Sequence, residues 1–135
     1  MTTLEKAYNG LVADQQTSVR LSRLAEGAIS PGRVVTQGST DIKVAQGGTG
    51  TILGISMADR TLSPDQAGDY MDGDTIGYVA HPAVIWCIAQ AAVSAGDSVA
   101  YDTATGEVNL LGTAIPNAIF DSSAGAGELV KVRLV

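Results

Sequence analysis

The sequence predicts an all-β fold, an antiparallel sandwich or barrel. Thirteen Val, nine Ile and 12 Thr make a quarter of the 135 residues β-branched, and such residues favour pleated, half-buried surfaces. They fall in short runs of about seven residues or fewer, divided by glycine-containing breaks. After residue 30 no stretch holds a 3.6-residue apolar period long enough for a βαβ crossover.

The expected strands follow in order. Arg33–Thr36 leaves a Pro31-Gly32 turn, and Asp41–Ala45 answers it. Gly47-Gly-Thr-Gly50 reads as a turn feeding Thr51–Met57, because no Lys-Ser/Thr pair follows to make it a phosphate loop. Thr75–Ala80 and Ala83–Ala89 flank His81-Pro82, and Ser98–Asp102 leads through a Tyr101–Gly106 hairpin into Glu107–Leu110. Leu129–Val135 closes the set. Three strands share one entry: Gly73-Asp74-Thr75-Ile76, Gly96-Asp97-Ser98-Val99 and Gly127-Glu128-Leu129-Val130. Glycine permits the positive φ of a turn, the acid stays solvated, and the aliphatic residue starts the inward face. The glycines are 23 and 31 residues apart, so they read as repeated strand entries and not as a solenoid period.

The first 30 residues differ. They carry three acids and three bases and no dense apolar run, while residues 31–135 carry 11 acids and five bases. The reading is an extended N-terminal arm over 1–30 and one β-rich domain over 31–135. Composition leaves open whether the arm is a disordered tail or is ordered by a neighbouring chain.

Charge and composition narrow the function. A net charge of −6 repels phosphates, and six aromatics give little base stacking, so no nucleic-acid partner is expected. One cysteine makes neither an internal disulfide nor a thiolate cage for zinc, which suits a reducing cytosol. The polar opening MTTLEKAYNG does not read as a leader. The most apolar window, Ala83–Val93, spans 11 residues, against about 20 for a membrane helix, so no membrane partner is expected.

Catalytic chemistry is sparse. His81 is the only imidazole, and no nucleophile and orienting carboxylate are set to converge on it. Cys87 lies in an apolar run and reads as a buried, inert thiol. Asp59, Asp65, Asp69, Asp72 and Asp74 lack the alternating calcium-ligand ladder and read as solvated loop acids. Trp86 reads as core or subunit contact. No enzyme activity and no cofactor are expected, and function should sit on a surface.

Several segments carry a resemblance. Gly10-Leu-Val-Ala-Asp14, Ser18-Val-Arg20, Ser22-Arg23-Leu-Ala-Glu26-Gly-Ala-Ile29 and Pro31-Gly-Arg33-Val-Val35-Thr-Gln-Gly38 occur in that order. Leu53-Gly-Ile55-Ser, Gly96-Asp-Ser-Val99 and Thr105-Gly-Glu-Val108 follow. The series resembles the structural cement proteins of tailed-bacteriophage heads, the Gp24-like decoration family. The resemblance implies a β-tulip or barrel-like domain, assembled as a homotrimer. It also implies a site on the outer surface of the expanded capsid, at local three-fold junctions, reached from the host cytoplasm. There the protein would clamp adjacent major capsid proteins. The arm would supply the contacts: Leu11 and Val12 as apolar anchors, Asp14 beside them, and Arg20 and Arg23 toward capsid carboxylates. Arg33 would tie the arm to the base of the domain. The competing expectations are another phage structural module, a tail tube or spike, and a small all-β hydrolase or ligand-binding barrel.

Overall fold

Turns of one design launch three of the strands. The Asp74, Asp97 and Glu128 N–H groups donate to the carbonyls of Met71, Ser94 and Gly125, three residues back, at 3.0, 3.1 and 3.1 Å. Each turn has glycine third, at φ 88° for Gly73, 92° for Gly96 and 80° for Gly127. A side chain at that φ is strained, which is why glycine recurs there. The Asp74 and Asp97 carboxylates then accept from the Met71 and Ser94 N–H groups, at 2.8 and 2.9 Å.

The computed structural model describes residues 9–13, 18–58 and 69–135. The first five strands are β1 (Val19–Ala25), β2 (Val34–Gln37), β3 (Lys43–Gln46), β4 (Ile52–Ser56) and β5 (Thr75–Ala80). They close a barrel in the order β1-β3-β2-β4-β5. Then come β6 (Ala83–Ile88), β7 (Ser98–Tyr101), β8 (Val108–Asn109), β9 (Thr113–Phe120) and β10 (Leu129–Leu134). These form a curled sheet in the order β6-β10-β9-β7-β8. The described residues contain no helix, so the all-β, barrel-like expectation holds.

Two elements depart from the sequence reading. Residues 19–25, expected within the extended arm, are a barrel strand: β1 pairs antiparallel with β5 along its length and parallel with β3 at Leu24 and Ala25. Its first half, Val19-Arg20-Leu21-Ser22, is exposed on both faces, so its alternation marks no buried side. The unexpected β9 contains Pro116 and Asn117, the latter at φ 58°. Proline removes a ladder donor, and a register shift between Ser98 and Ala100 accommodates the irregular stretch.

The two sheets are repeats of one another, in register except past the bulge, where Thr36↔Ile52 is answered by Ala100↔Ala114 and not by Ala100↔Pro116. The Val34↔Ile55 pair of the barrel recurs as Ser98↔Ile119, each partner 64 positions later (98 − 34 and 119 − 55). The parallel Ala25↔Val44 pair recurs as Ala89↔Val108. Leu24↔Thr75 recurs as Ile88↔Leu129, where the second partner moves by 54 (129 − 75). The isolated bridge Ile29↔Tyr70 recurs as Val93↔Ala124. Residues 19–58 thus match 83–122, and residues 69–80 match 123–134. The shift falls from 64 to 54 because residues 59–68 have no counterpart. Gly73 is the counterpart of Gly127 and Gly32 that of Gly96. The unequal spacing of the strand entries arises from mixing two pairs.

The repeats differ in what they bury. Ile29, Val35, Val44, Tyr70, Ile76 and Tyr78 fill the first barrel. Ile85, Cys87, Val99, Tyr101, Phe120, Val130 and Val132 belong to a second, larger core. Val34 and Val79, each next in sequence to a first-barrel core residue, join that larger core together with Ile55. Their counterparts Ser98 and Arg133 are exposed, and Ile119 is half-buried. The first repeat therefore carries an extra apolar face, and burying each such side chain is worth about 1.5–3 kcal/mol.

Candidate functional site

Strand edges and exposed apolar side chains are the surfaces this fold offers a partner. The segment Gly10–Ala13 lies along β6 as a short added strand. The Gly10 N–H donates to the Trp86 carbonyl at 2.7 Å, the Trp86 N–H to the Leu11 carbonyl at 2.8 Å, and the Ala13 N–H to the Val84 carbonyl at 2.7 Å. Val12 stands opposite Ile85 and joins the larger core with only 7% of its surface exposed. Farther back, the Asn9 amide donates to the Pro31 carbonyl at 2.7 Å, and the Ala58 N–H to the Gly10 carbonyl at 3.0 Å.

The six residues singled out as arm contacts are spread over several places. Leu11 is half-buried on the β6 edge, and Val12 packs into the protein's own core, where it offers no anchor outward. Asp14 lies outside the described residues. Arg20 is exposed on β1, in register with Val79. Arg23 is half-buried, and its guanidinium donates to Gln37 Oε1 at 2.8 Å and to the Asp41 carbonyl at 2.7 Å. Arg33 ties the two repeats together instead of tying an arm to a base. Its Nη1 donates to the Thr105 carbonyl at 2.8 Å and lies 3.5 Å from Glu107 Oε1. Beside it the Val34 N–H donates to the Gly106 carbonyl at 2.8 Å, and the Tyr101 hydroxyl to the Gly48 carbonyl at 2.8 Å.

Several exposed apolar side chains were not singled out from the sequence. Leu21 is 47% exposed, Ile42 60% and Leu111 98%. The β1 pair Val19 and Leu21 follows the two-residue period of a strand, a signal obscured by reading this segment as arm. Leu110-Leu111 before Gly112 puts an apolar pair in the β8–β9 turn, where polar residues are the rule.

The remaining candidates have local roles. Burial pushes the Cys87 thiol up to about 12, so it stays protonated and unreactive. His81 is exposed and precedes a cis peptide to Pro82. It borders a cavity of about 290 Å³ that Ile52, Ile115, Asn117 and Leu134 also line. Trp86 is half-buried, with Lys131 Nζ 5.7 Å from its ring centroid. The Asp72 carboxylate accepts from the Gly27 N–H at 2.8 Å, while Asp59 and Asp65 lie outside the described residues. Among the described residues no three His, Cys, Asp or Glu side chains converge to hold a metal.

A closed five-strand barrel followed by a curled five-strand sheet of related arrangement defines a module of the all-β class. The chain belongs to the structural cement proteins: the family described as Structural cement protein (E217 gp24/Pam3 gp6) matches residues 1–135. Its fold is also similar to the crystal structure of the head fiber gp8.5 N base of bacteriophage phi29. That match has a TM-score of 0.52 at 20% identity and covers 87% of this chain and 94% of that one. A search of curated proteins finds no match. Membership makes this a structural protein of the phage capsid, as the resemblance of its segments implied.

Proposed function

We propose that the protein is a non-enzymatic decoration protein of the outer capsid surface. It binds the expanded shell as trimers at local three-fold junctions and clamps adjacent major capsid proteins from outside. Assembly takes place in the host cytoplasm. The observation that carries this reading is membership of the cement family along the whole chain.

Physical chemistry supports the arrangement. A clamp holds by repeated modest contacts, and three linked copies raise a weak affinity by orders of magnitude. Arg20, exposed on β1, is suited to shell carboxylates, and the exposed part of Leu11 adds apolar contact. Leu111, almost fully exposed on the β8–β9 turn, is a further anchor. The net charge of −6 keeps a densely repeated outer face soluble. Val12 and Arg33, held within the fold, serve by positioning the arm and the second repeat.

The test is light scattering of the purified protein, followed by co-sedimentation with expanded heads stripped of decoration. A trimer that pellets with heads, in numbers matching three-fold sites, is the expected result. A persistent monomer that stays in the supernatant overturns the proposal.

A further inference from the structure

The internal repeat exposes a difference between two equivalent edges. On β6 the edge turned away from β10 is filled by Gly10–Ala13, through the N–H and carbonyl of Trp86 and the carbonyl of Val84. The counterpart of Trp86 is Ser22 on β1 (86 − 64), and both occupy the same register against the neighbouring strand, Trp86↔Lys131 and Ser22↔Gly77. The Gly77 carbonyl accepts from the Met57 N–H at 2.9 Å, on the side of β5 away from β1. Ser22 and Gly77 are therefore a non-hydrogen-bonded pair of the antiparallel ladder. The backbone groups of Ser22 point outward, as those of Trp86 do. No described strand lies there, because β3 begins at Lys43, opposite Leu24.

The side chains mark the same gap. Ile85, under Val12, has no exposed surface, whereas its counterpart Leu21 is 47% exposed. Ala83 is 3% exposed and its counterpart Val19 is 38% exposed. Ile42, just before β3, adds a third apolar side chain at 60%. A cavity of about 350 Å³ lies beside them, lined by Ser22, Arg23, Leu24, Asp41, Ile42 and Thr75.

We infer that this edge of β1, centred on Ser22, takes up an extended segment of the shell protein as an added antiparallel strand. The incoming strand repeats what Gly10–Ala13 does on β6. This rests on the cement reading. Edge strands with an apolar rim are the substrate of strand addition: main-chain bonds hold the segment, and alternate side chains select it. The expected segment is apolar at the residue facing Leu21 and small at its neighbours. A second copy of this chain is a poor source. Its own Gly10–Ala13 is already bonded to β6.

The experiment compares wild type, Ser22→Pro and Ser22→Ala in co-sedimentation with expanded, undecorated heads. Proline removes an N–H aimed at the centre of the incoming strand and leaves the bonds to β5, which use the flanking residues. Expected is at least about a tenfold loss of affinity for Ser22→Pro, none for Ser22→Ala, and new amide protection at Ser22 on binding. If Ser22→Pro lowers the melting temperature, Leu21→Glu, at an exposed position, replaces it with the same expected loss. Equal binding by the variant that stays folded overturns strand addition while leaving the cement reading intact. Wild type that ignores heads overturns both. Loss of a wild-type oligomer in Ser22→Pro, with no shell present, assigns the edge to a second copy and also overturns the proposal.

Discussion

Leu21 and Ile85 occupy the same station in two copies of one strand arrangement, yet Ile85 is buried and Leu21 is 47% exposed. The difference traces to Val12, which stands opposite Ile85. The second repeat is completed by the chain's own N-terminal segment, and the first is not. The N-terminal region thus divides in its roles. Residues 10–13 finish the fold, and β1 presents an edge.

Val12 should consequently act as a core residue. Val12→Ala is expected to lower stability by about 2 kcal/mol, the cost of losing a buried aliphatic side chain and leaving a small void. Removing residues 2–13 should cost more, because the β6 edge loses its backbone partners, whereas removing 2–8 should cost less than Val12→Ala. Urea denaturation of the three variants checks the order. A fully stable Val12→Ala would return this residue to the role of an outward anchor.

Arg33 should hold the repeats together more through a carbonyl than through a carboxylate. Its Nη1 lies 2.8 Å from the Thr105 oxygen and 3.5 Å from Glu107, with about a quarter of each charged side chain exposed. Arg33→Ala removes both contacts and is expected to cost about 1–2 kcal/mol. Glu107→Gln keeps the carbonyl acceptor and should cost under about 1 kcal/mol, as ion pairs open to solvent do. Equal losses in thermal melts of the two variants would show that the ion pair dominates.

Much of this architecture was legible in the residues. Glycine before an acid marked three strand entries, because only glycine suits the positive φ that the turn imposes. Thr75–Ala80 shows its period of two plainly, since Ile76 and Tyr78 face a core. β1 was obscured because its first half rises beyond β3, so Val19 and Leu21 stay exposed and mark no buried face. β9 was obscured by Pro116 and Asn117. The repeat itself was present in the sequence, as Ala25-x-x-Ala28-Ile29-Ser30-x-Gly32 against Ala89-x-x-Ala92-Val93-Ser94-x-Gly96. Comparing glycine entries only with their neighbours passed over it. The contact surface was the least legible part, since exposure of Leu21 depends on where Gly10–Ala13 docks.

Alkaline pH should unfold the protein through Cys87. Burial raises the folded thiol to about 12, above the roughly 8.5 of a free cysteine. Its contribution is fully present below the unfolded value and is lost as pH rises toward the folded one. Stability should therefore fall above about pH 8.5, by at most about 1.4 kcal/mol per pH unit from this group. Cys87→Ala should cost stability at neutral pH and abolish that slope. An unchanged alkaline slope would assign the effect to another group.

Acid should act through two carboxylates, one in each repeat. Hydrogen bonds from the Ser39 hydroxyl and N–H lower Glu26, and a hydrogen bond from Gln90 followed by one from the Ala104 N–H lowers Asp102. Gln90 is the counterpart of Glu26 (90 − 64), while Asp102 is that of Gly38 (102 − 64), the neighbour of Ser39, so the two contacts lie one residue apart in the repeat. A carboxyl depressed in the folded state stabilises above its unfolded value, near pH 4, and that stability is lost as pH falls through the folded value. Ser39→Ala and Gln90→Ala should each flatten the acid limb of a pH–stability curve and leave the limb above pH 8.5 unchanged. Acid limbs identical to wild type would overturn the assignment.

Residues 59–68 should be dispensable for folding. They account for the whole change of offset between the repeats: Ala58 corresponds to Ser122, and Asp69 to Ser123, its direct neighbour in the chain. The second repeat makes the same crossing with no added residue. The two sides also meet in the first repeat, where the Tyr70 hydroxyl donates to the Met57 carbonyl at 2.7 Å. Joining Ala58 to Asp69 shortens the connection from β4 to β5, and the entropy of closing a connection grows only slowly with its length. The shortened protein should keep its β-sheet circular dichroism and melt within about 5 °C of wild type, equivalent to about 1 kcal/mol for this size. A shortened protein that folds but no longer pellets with heads would make this segment a partner contact of the first repeat. An unfolded one would mean that the segment packs on the barrel and that the equivalence of the two crossings fails.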